Sequence, residues 1–329
     1  MKKLIPILIL LILGGVVFAF RERISSQISY EGPSDIETAT PKTTPDEFTI
    51  LFAGDIILDR DVKKKIDEVG GGDWRFPFLR IADFSRSAEL TMANLEGPVS
   101  DRRAKVGSIY SFRFDPASLE ALTYAGIDIV NSANNHIFDY GQQGLLDTIT
   151  NLTRAGIDYV GIGLNFEQTH QGITKNIKGT KITFLGYTDL VSKQLSATPT
   201  AAGISFLDKE QMTKDIQAAK ANSDIVIINV HKGDEYHTSH NAEQEMMYKA
   251  AIDAGADLVV GHHPHVAQEV EQYRDGWIAY SLGNFVFDQG FSEETMRGLF
   301  LKVTVRNKKI VAAEPIPFNI SPNFQPYLP

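Results

Sequence analysis

Cysteine is absent from all 329 residues. Its absence excludes structural disulfides, thiolate metal sites, a thiol nucleophile and a lipid-modified cysteine anchor. A basic excess is missing too, since 32 Lys and Arg face 41 Asp and Glu and leave a net charge of -9. Such an acidic chain argues against nucleic acid as a partner. The glycines form no phosphate-cradling G-x-x-x-x-G-K run. An anionic substrate would therefore need a local cation, from an Arg or Lys cluster or from a metal.

What is present is ordinary in bulk: 43% hydrophobic and 22% charged residues, enough to bury a sizeable core. The N-terminus departs from this. In "MKKLIPILILLILGGVVFAFRER" two lysines precede Leu4 to Phe20, which carry no charge, and Arg21 follows. That pattern predicts a membrane segment or export signal over residues 1–23. The apolar run exceeds the usual signal core of about 7–15 residues, so an uncleaved anchor is expected, although "VFA" at Val17 to Ala19 also reads as a cleavage site. Positive residues on both flanks leave orientation open; an extracytoplasmic body on a single-pass anchor is the expectation. Residues 24–46, rich in Ser, Thr, Pro and acid, read as a flexible tether. The charges of residues 1–46 cancel, so the net negative charge belongs to the domain at 47–329.

Within that domain, short β-rich runs alternate with helical patterns. "FTILFAG", "AELTMAN", "GIDIVNSA", "KITFLGYT", "SDIVIINV" and "ADLVVG" read as strands, and Gln142 to Ala155, Lys209 to Asn222 and Ala242 to Ala254 as helices. This predicts an α/β domain. Polar residues follow the strands: Gly54-Asp55, Asn94 to Gly97, Asn134 to His136, His231 to Glu235, and "GHHPH" at Gly261 to His265. Loops at the carboxyl ends of strands form the functional crevice of α/β sheets, so five segments would deliver Asp, Glu, Asn and His to one rim. Carboxylates with imidazoles suit Zn, Mn or Fe, as one or two divalent ions.

Each piece alone has a plainer reading. Asp55 could cap a helix, Asn134 and Asn135 could be turn residues, and His231 could be a hydrogen-bonded strand-end histidine. His170, His237 and His240 lie in polar stretches and read as surface.

The ordered set "GDIILDR", "NLEGPVS", "FRFDP", "SANNHIFDYG", "VHKGDEY", "GADLVVGHHPHVAQ" and "YSLGNFVFD" resembles the poly-gamma-glutamate capsule-biosynthesis family of the CapA and PgsA type, itself similar to calcineurin-like metallophosphatases. The resemblance implies a four-layer α/β/β/α sandwich with the metal site at its rim. It places Asp55 as the first metal-binding aspartate, Glu96 at the bridging position, Asn135 as ligand, His136 as general acid, and His231, His263 and His265 as further ligands. His262 falls outside the His-x-His spacing. Two departures stand out. Ile57 occupies the position where metallophosphatases usually carry a histidine, with Asp59 a poorly spaced substitute, and Lys232 replaces a common tryptophan. Lys232 and Arg113 are candidate contacts for an anionic substrate. The implied role is capsule or polymer synthesis or export at the membrane, acting on poly-gamma-glutamate or a similar anionic polymer, with membrane synthase subunits as partners. A general phosphoesterase and a non-catalytic scaffold subunit are the rival readings.

Overall fold

The structure, a computed structural model, describes residues 46–102, 105, 106 and 109–329. The expected anchor and nearly all of the expected tether lie outside the described residues. Among the described residues no helix is long and apolar enough to cross a membrane.

The first four strands run parallel: β1 (Glu47–Ile56), β2 (Leu90–Leu95), β3 (Ile129–Asn131) and β4 (Asp158–Val160). A small ladder follows from β5 (Ile162–Gly163), and a hairpin of β6 (Ile173–Ile177) and β7 (Thr180–Thr188) opens a second sheet. β8 (Gly203–Ile204) pairs with β5, while β9 (Ile225–His231) and β10 (Leu258–His262) continue the second sheet in parallel from β7. β11 (Val270–Tyr273) and β12 (Gly276–Ala279) complete it, in the order β11-β12-β10-β9-β7-β6. The chain then returns to the first sheet. β13 (Asn284–Val286) lies parallel to the end of β1, and β14 (Arg297–Arg306), β15 (Lys309–Ile320) and β16 (Pro326–Tyr327) extend the sheet as β16-β15-β14-β1-β2-β3-β4.

The central strands read as continuous apolar runs because both of their faces are covered. Side chains alternate along a strand. Phe48, Ile50 and Phe52 of β1 accordingly share a cluster with Phe184, Ile227, Leu258 and Val260 of the second sheet, which joins the two sheets face to face. Leu51 and Ala53 turn the other way, onto helices α1 (Arg60–Glu68), α2 (Ala82–Ser85), α3 (Leu119–Ala125) and the end of α4 (Gly141–Ala155). Ile228, Val230 and Val259 do the same in the second sheet. Its outer face is covered by α6 (Lys209–Lys220) and α7 (Ala242–Ala254), with the short α5 (Phe166–His170) preceding them in the chain. Helix limits follow local chemistry. Asn241 and Gln244 form a reciprocal capping box at the start of α7, and Gly255 ends it in the left-handed conformation.

One segment ties the sheets together at the rim. Tyr280 to Asn284 passes between the ends of β1 and β10, with Asp55 N donating to Gly283 O and Leu282 N donating to Gly261 O. The approach is so close that a Cβ on Gly54 would sit 1.8 Å from Gly283 O, and one on Gly261 would sit 1.9 Å from Tyr280 O. Only glycine fits at either position, and each directly precedes a polar residue of the crevice.

Candidate metal centre

The carboxyl ends of β1, β2, β3, β9 and β10 converge. β1 ends beside Asp55, the residue after β2 is Glu96, the loop after β3 carries Asn135 and His136, β9 ends at His231, and β10 ends at His262 ahead of His263 and His265. His263 and His265 hold positive φ values of 96° and 59°, a conformation that costs of order 1 kcal/mol or more for a side chain of this size. The turn aims both imidazoles back at the first sheet.

Glu96 is the hub. Its Oε1 lies 3.6 Å from His265 Nε2 and 3.9 Å from both His231 Nε2 and His136 Nε2, and it has no hydrogen-bond partner among the described residues. Asp55 lies 3.4 Å from His265 Nδ1 and 3.5 Å from His262 Nδ1. His231 Nε2 sits 2.8 Å from Asn135 Oδ1. Two sets of donors draw together, Glu96 with His263 and His265, and Asp55 with Glu96 and His231, each within 4.8 Å. Glu96 belongs to both, as a bridging carboxylate must.

Most of these gaps exceed a normal hydrogen bond of about 2.7–3.2 Å. They match the edge of a coordination tetrahedron, about 3.4 Å for metal–ligand bonds of about 2.1 Å. The orphaned atoms point the same way. Among the described residues, Glu96 Oε1, His231 Nδ1, His263 Nδ1 and both ring nitrogens of His262 are buried without partners, and leaving such groups unpaired costs about 1–3 kcal/mol each. The residues therefore fit a divalent metal, and Asp55, Glu96, Asn135, His231, His263 and His265 could hold it.

Electrostatics agree. Burial pushes the His263 imidazole down to about 3 and holds His231 well below its ordinary value, so both present neutral rings with lone pairs. Burial acts against the charged ring of His265 as well, yet the carboxylates of Glu96 and Asp55 prevail and push it up to about 9. Burial raises Glu96 well above the usual carboxylate range, with Asp55 adding to the effect. Burial would raise Asp55 also, but His262 and His265 beside it hold its carboxyl well down.

A second ring of residues positions the first. Asn131 donates to Asn94 at 2.9 Å, and Asn94 donates to Asp55 at 2.8 Å. His265 Nδ1 meets Asn284 Oδ1 at 3.0 Å. His136 Nδ1 meets Asp139 Oδ2 at 2.8 Å, and its ring packs against Phe112 at 4.0 Å between centroids. An imidazole held by a carboxylate at one nitrogen and open at the other can move a proton. It faces a cleft of about 650 Å³ lined by Arg60, Tyr110, Phe112, Tyr236, Phe287 and Phe291, together with Asp139, Glu235 and Asp288.

The metal residues expected from sequence, Asp55, Glu96, Asn135, His231, His263 and His265, and the proton donor His136 are thus brought together. The two expected anion contacts are not. Lys232 is buried, its ammonium held by Asp189 at 2.6 Å and Glu243 at 3.1 Å, and it does not line the cleft. The Arg113 guanidinium donates to the carbonyl of Arg102 and lies over the Tyr140 ring. Arg60 is the arginine of the cleft, and Asp288 binds it through two hydrogen bonds of 2.6 and 3.0 Å. Asp59 accepts from the Arg113 backbone at 2.9 Å and takes no place in the cluster. Asn134 bonds Leu95 O and the His136 backbone, a turn role. His170, expected at the surface, is buried against Asp215 at 2.7 Å. Sequence reasoning gave Asn131 and Asp139 no role and named Asn94 only within the strand-end run Asn94 to Gly97. Asn131 ends the apolar strand β3 and Asn94 is the last residue but one of β2, and that position was the available signal.

Comparison with known proteins places these features. The family model described as "Bacterial capsule synthesis protein PGA_cap" matches residues 49–289. The capsule biosynthesis protein CapA of Bacillus anthracis is 34% identical over 283 residues, covering 84% of this chain and 68% of that one. The PGA biosynthesis protein CapA of Bacillus subtilis is 35% identical over 260 residues, covering 78% of this chain and 68% of its own. A crystal structure described as a novel phosphatase of Mycoplasma pneumoniae overlays with a TM-score of 0.51 at 13% identity, covering 82% of this chain and 93% of that one. At that identity the likeness is one of fold. With the family model matching most of the chain and two CapA relatives at 34% and 35% identity, the chain belongs to the bacterial PGA_cap family.

Proposed function

We propose that this protein is a metal-dependent hydrolase of capsule production, acting on poly-gamma-glutamate or a similar anionic polymer. Residues 1–23 hold it at the cell membrane with the domain outside the cytoplasm, beside the subunits of a polymer synthase. The observation that carries the reading is Glu96 Oε1, buried, unbonded and ringed by the imidazoles of His265, His231 and His136 at 3.6–3.9 Å. The names of the two Bacillus relatives support the polymer, and the apolar run from Leu4 to Phe20 supports the anchor.

In this reading Asp55, Glu96, Asn135, His231, His263 and His265 hold one or two ions of Mn, Zn or Fe. A divalent metal supplies Lewis acidity toward a phosphoryl or carbonyl oxygen. The protein supplies the rest. His136, fixed through Nδ1 by Asp139, protonates the leaving group from Nε2. Phe112 and Phe287 wall the cleft, which admits the water that hydrolysis consumes: its oxygen would bond to the phosphoryl or carbonyl centre as the leaving-group bond breaks, and its proton would pass to solvent. Glu235, Asp139 and Asp288 make the cleft acidic, so a polyanion is admitted only with the metal charge in place.

The test measures metal content of the full chain in detergent, for wild type and Glu96→Ala, and assays each against a phosphate diester and a gamma-glutamyl polymer. Metal in the wild type, lost with Glu96, and turnover of the polymer support the proposal. Turnover of the diester alone assigns a general phosphoesterase. Metal without turnover of either assigns a scaffold.

A further inference from the structure

Position 57 is where the metallophosphatase pattern supplies an imidazole, and here Ile57 is fully buried within the apolar cluster beneath helices α1 and α3. The backbone on either side is committed as well, Asp55 N to Gly283 O and Ile57 N to Val286 O. From this stretch of the first sheet, then, only Asp55 reaches the centre, and it lacks a nitrogen partner from its own strand.

The second sheet offers one. His262 pairs in register with His231 across the parallel strands β9 and β10, so the two side chains leave the sheet on the same side. His262 is 1% exposed, and neither ring nitrogen has a hydrogen-bond partner among the described residues. Its Nδ1 lies 3.5 Å from Asp55 Oδ1, while His265 Nδ1 lies 3.4 Å from Asp55 Oδ2. The first separation is long for an N–H···O bond and suits two ligands of one ion, about 3.4 Å apart on a tetrahedron. Gly261, which only a missing Cβ allows under Tyr280 O, brings this histidine to that place.

We infer that His262 is a further metal ligand, sharing an ion with Asp55 in place of the imidazole missing at position 57. The inference rests on the metal-centre reading proposed above. It accounts for the run of three histidines in "GHHPH": His263 and His265 reach Glu96 from the turn, and His262 reaches Asp55 from the strand.

The experiment uses the full chain in detergent, loaded with Zn, as wild type, His262→Gln and His262→Ala. Zn is titrated against a competing chelator, and X-ray absorption counts imidazoles per protein. Secondary structure is checked by circular dichroism. A ligand's loss weakens the affected ion by more than the roughly 10–100-fold seen for residues that only orient a ligand with the imidazole count falling by one, or removes one equivalent together with the imidazoles that ion held. Should a variant fail to fold, the wild-type count decides, with four imidazoles expected and three overturning the inference. Variants that bind Zn as the wild type does also overturn it, and leave the metal-centre reading intact. A wild type that binds no Zn overturns both.

Discussion

Asn284 accepts a hydrogen bond from His265. The Oδ1 of one lies 3.0 Å from the Nδ1 of the other, while the Asn284 amide nitrogen is committed to Gln289 Oε1 and Thr295 O at 3.0 Å each. With its donors spent, Asn284 can only accept, so Nδ1 of His265 carries the hydrogen and the lone pair of the neutral ring sits on Nε2, facing Glu96. Asn284→Ala should weaken Zn affinity about 10–100-fold. Equal affinity in Asn284→Ala would remove the orienting role.

On the proposed reading, His136 is where proton transfer should separate from metal binding. Its closest structural partner is Asp139, and Asp139 also receives the Phe112 backbone at 2.7 Å. We expect His136→Gln to lower kcat by about 10²–10⁴-fold with metal content unchanged, and Asp139→Asn to lower it by a smaller factor. Metal analysis beside steady-state kinetics checks both. Loss of metal in His136→Gln would instead make it a ligand.

Metal uptake should release protons. In the metal-free protein the carboxylates of Glu96 and Asp55 overcome burial and push His265 up to about 9, so its ring is charged at pH 7. A ligand must be neutral. Zn affinity is therefore expected to rise with pH from 6 toward about 9, with proton release seen as a buffer-dependent binding enthalpy. An affinity flat across that range contradicts the assignment of His265.

Gly54→Ala and Gly261→Ala should each destabilise the domain strongly, because the new methyl meets a carbonyl oxygen at 1.8 or 1.9 Å. Overpacking usually costs about 1–3 kcal/mol; backbone cannot yield as a side chain does, so losses at or above the top of that range are expected. Urea unfolding reads the loss directly. Alanine at either site without a measurable shift would mean the crossing segment moves freely.

What the sequence revealed and concealed divides along one physical line. Strand periodicity and strand-end position located the five polar segments, since chain direction alone brings strand ends to one rim, and the family resemblance singled out Asp55, Glu96, Asn135, His231, His263 and His265 within them. Partners from distant segments were invisible. Lys232 follows His231 directly, but alternation turns it away from the centre toward Asp189 and Glu243. Arg113 sits in a matching motif, yet its guanidinium finds the Arg102 carbonyl. His262 failed the His-x-His spacing because its role is set by register with β9, which no local pattern reports. The helices were easier. Ala242 to Ala254 matched residue for residue, since its cap and terminal glycine are local chemistry.

The pairing of β1 with β14 carries a consequence for how the protein is made. Glu47 meets Arg306 across that ladder, 259 positions further along the chain. A sheet whose founding strand waits for a neighbour so remote has high contact order and folds slowly. Until β13 and β14 emerge, β1 presents one open edge. A chain interrupted before Arg297 would keep every histidine of the centre and also β13, whose Asn284 pairs with Asp55, yet Glu47 to Phe52 would still lack their β14 neighbours, so the site residues are all made before the sheet beneath them is closed.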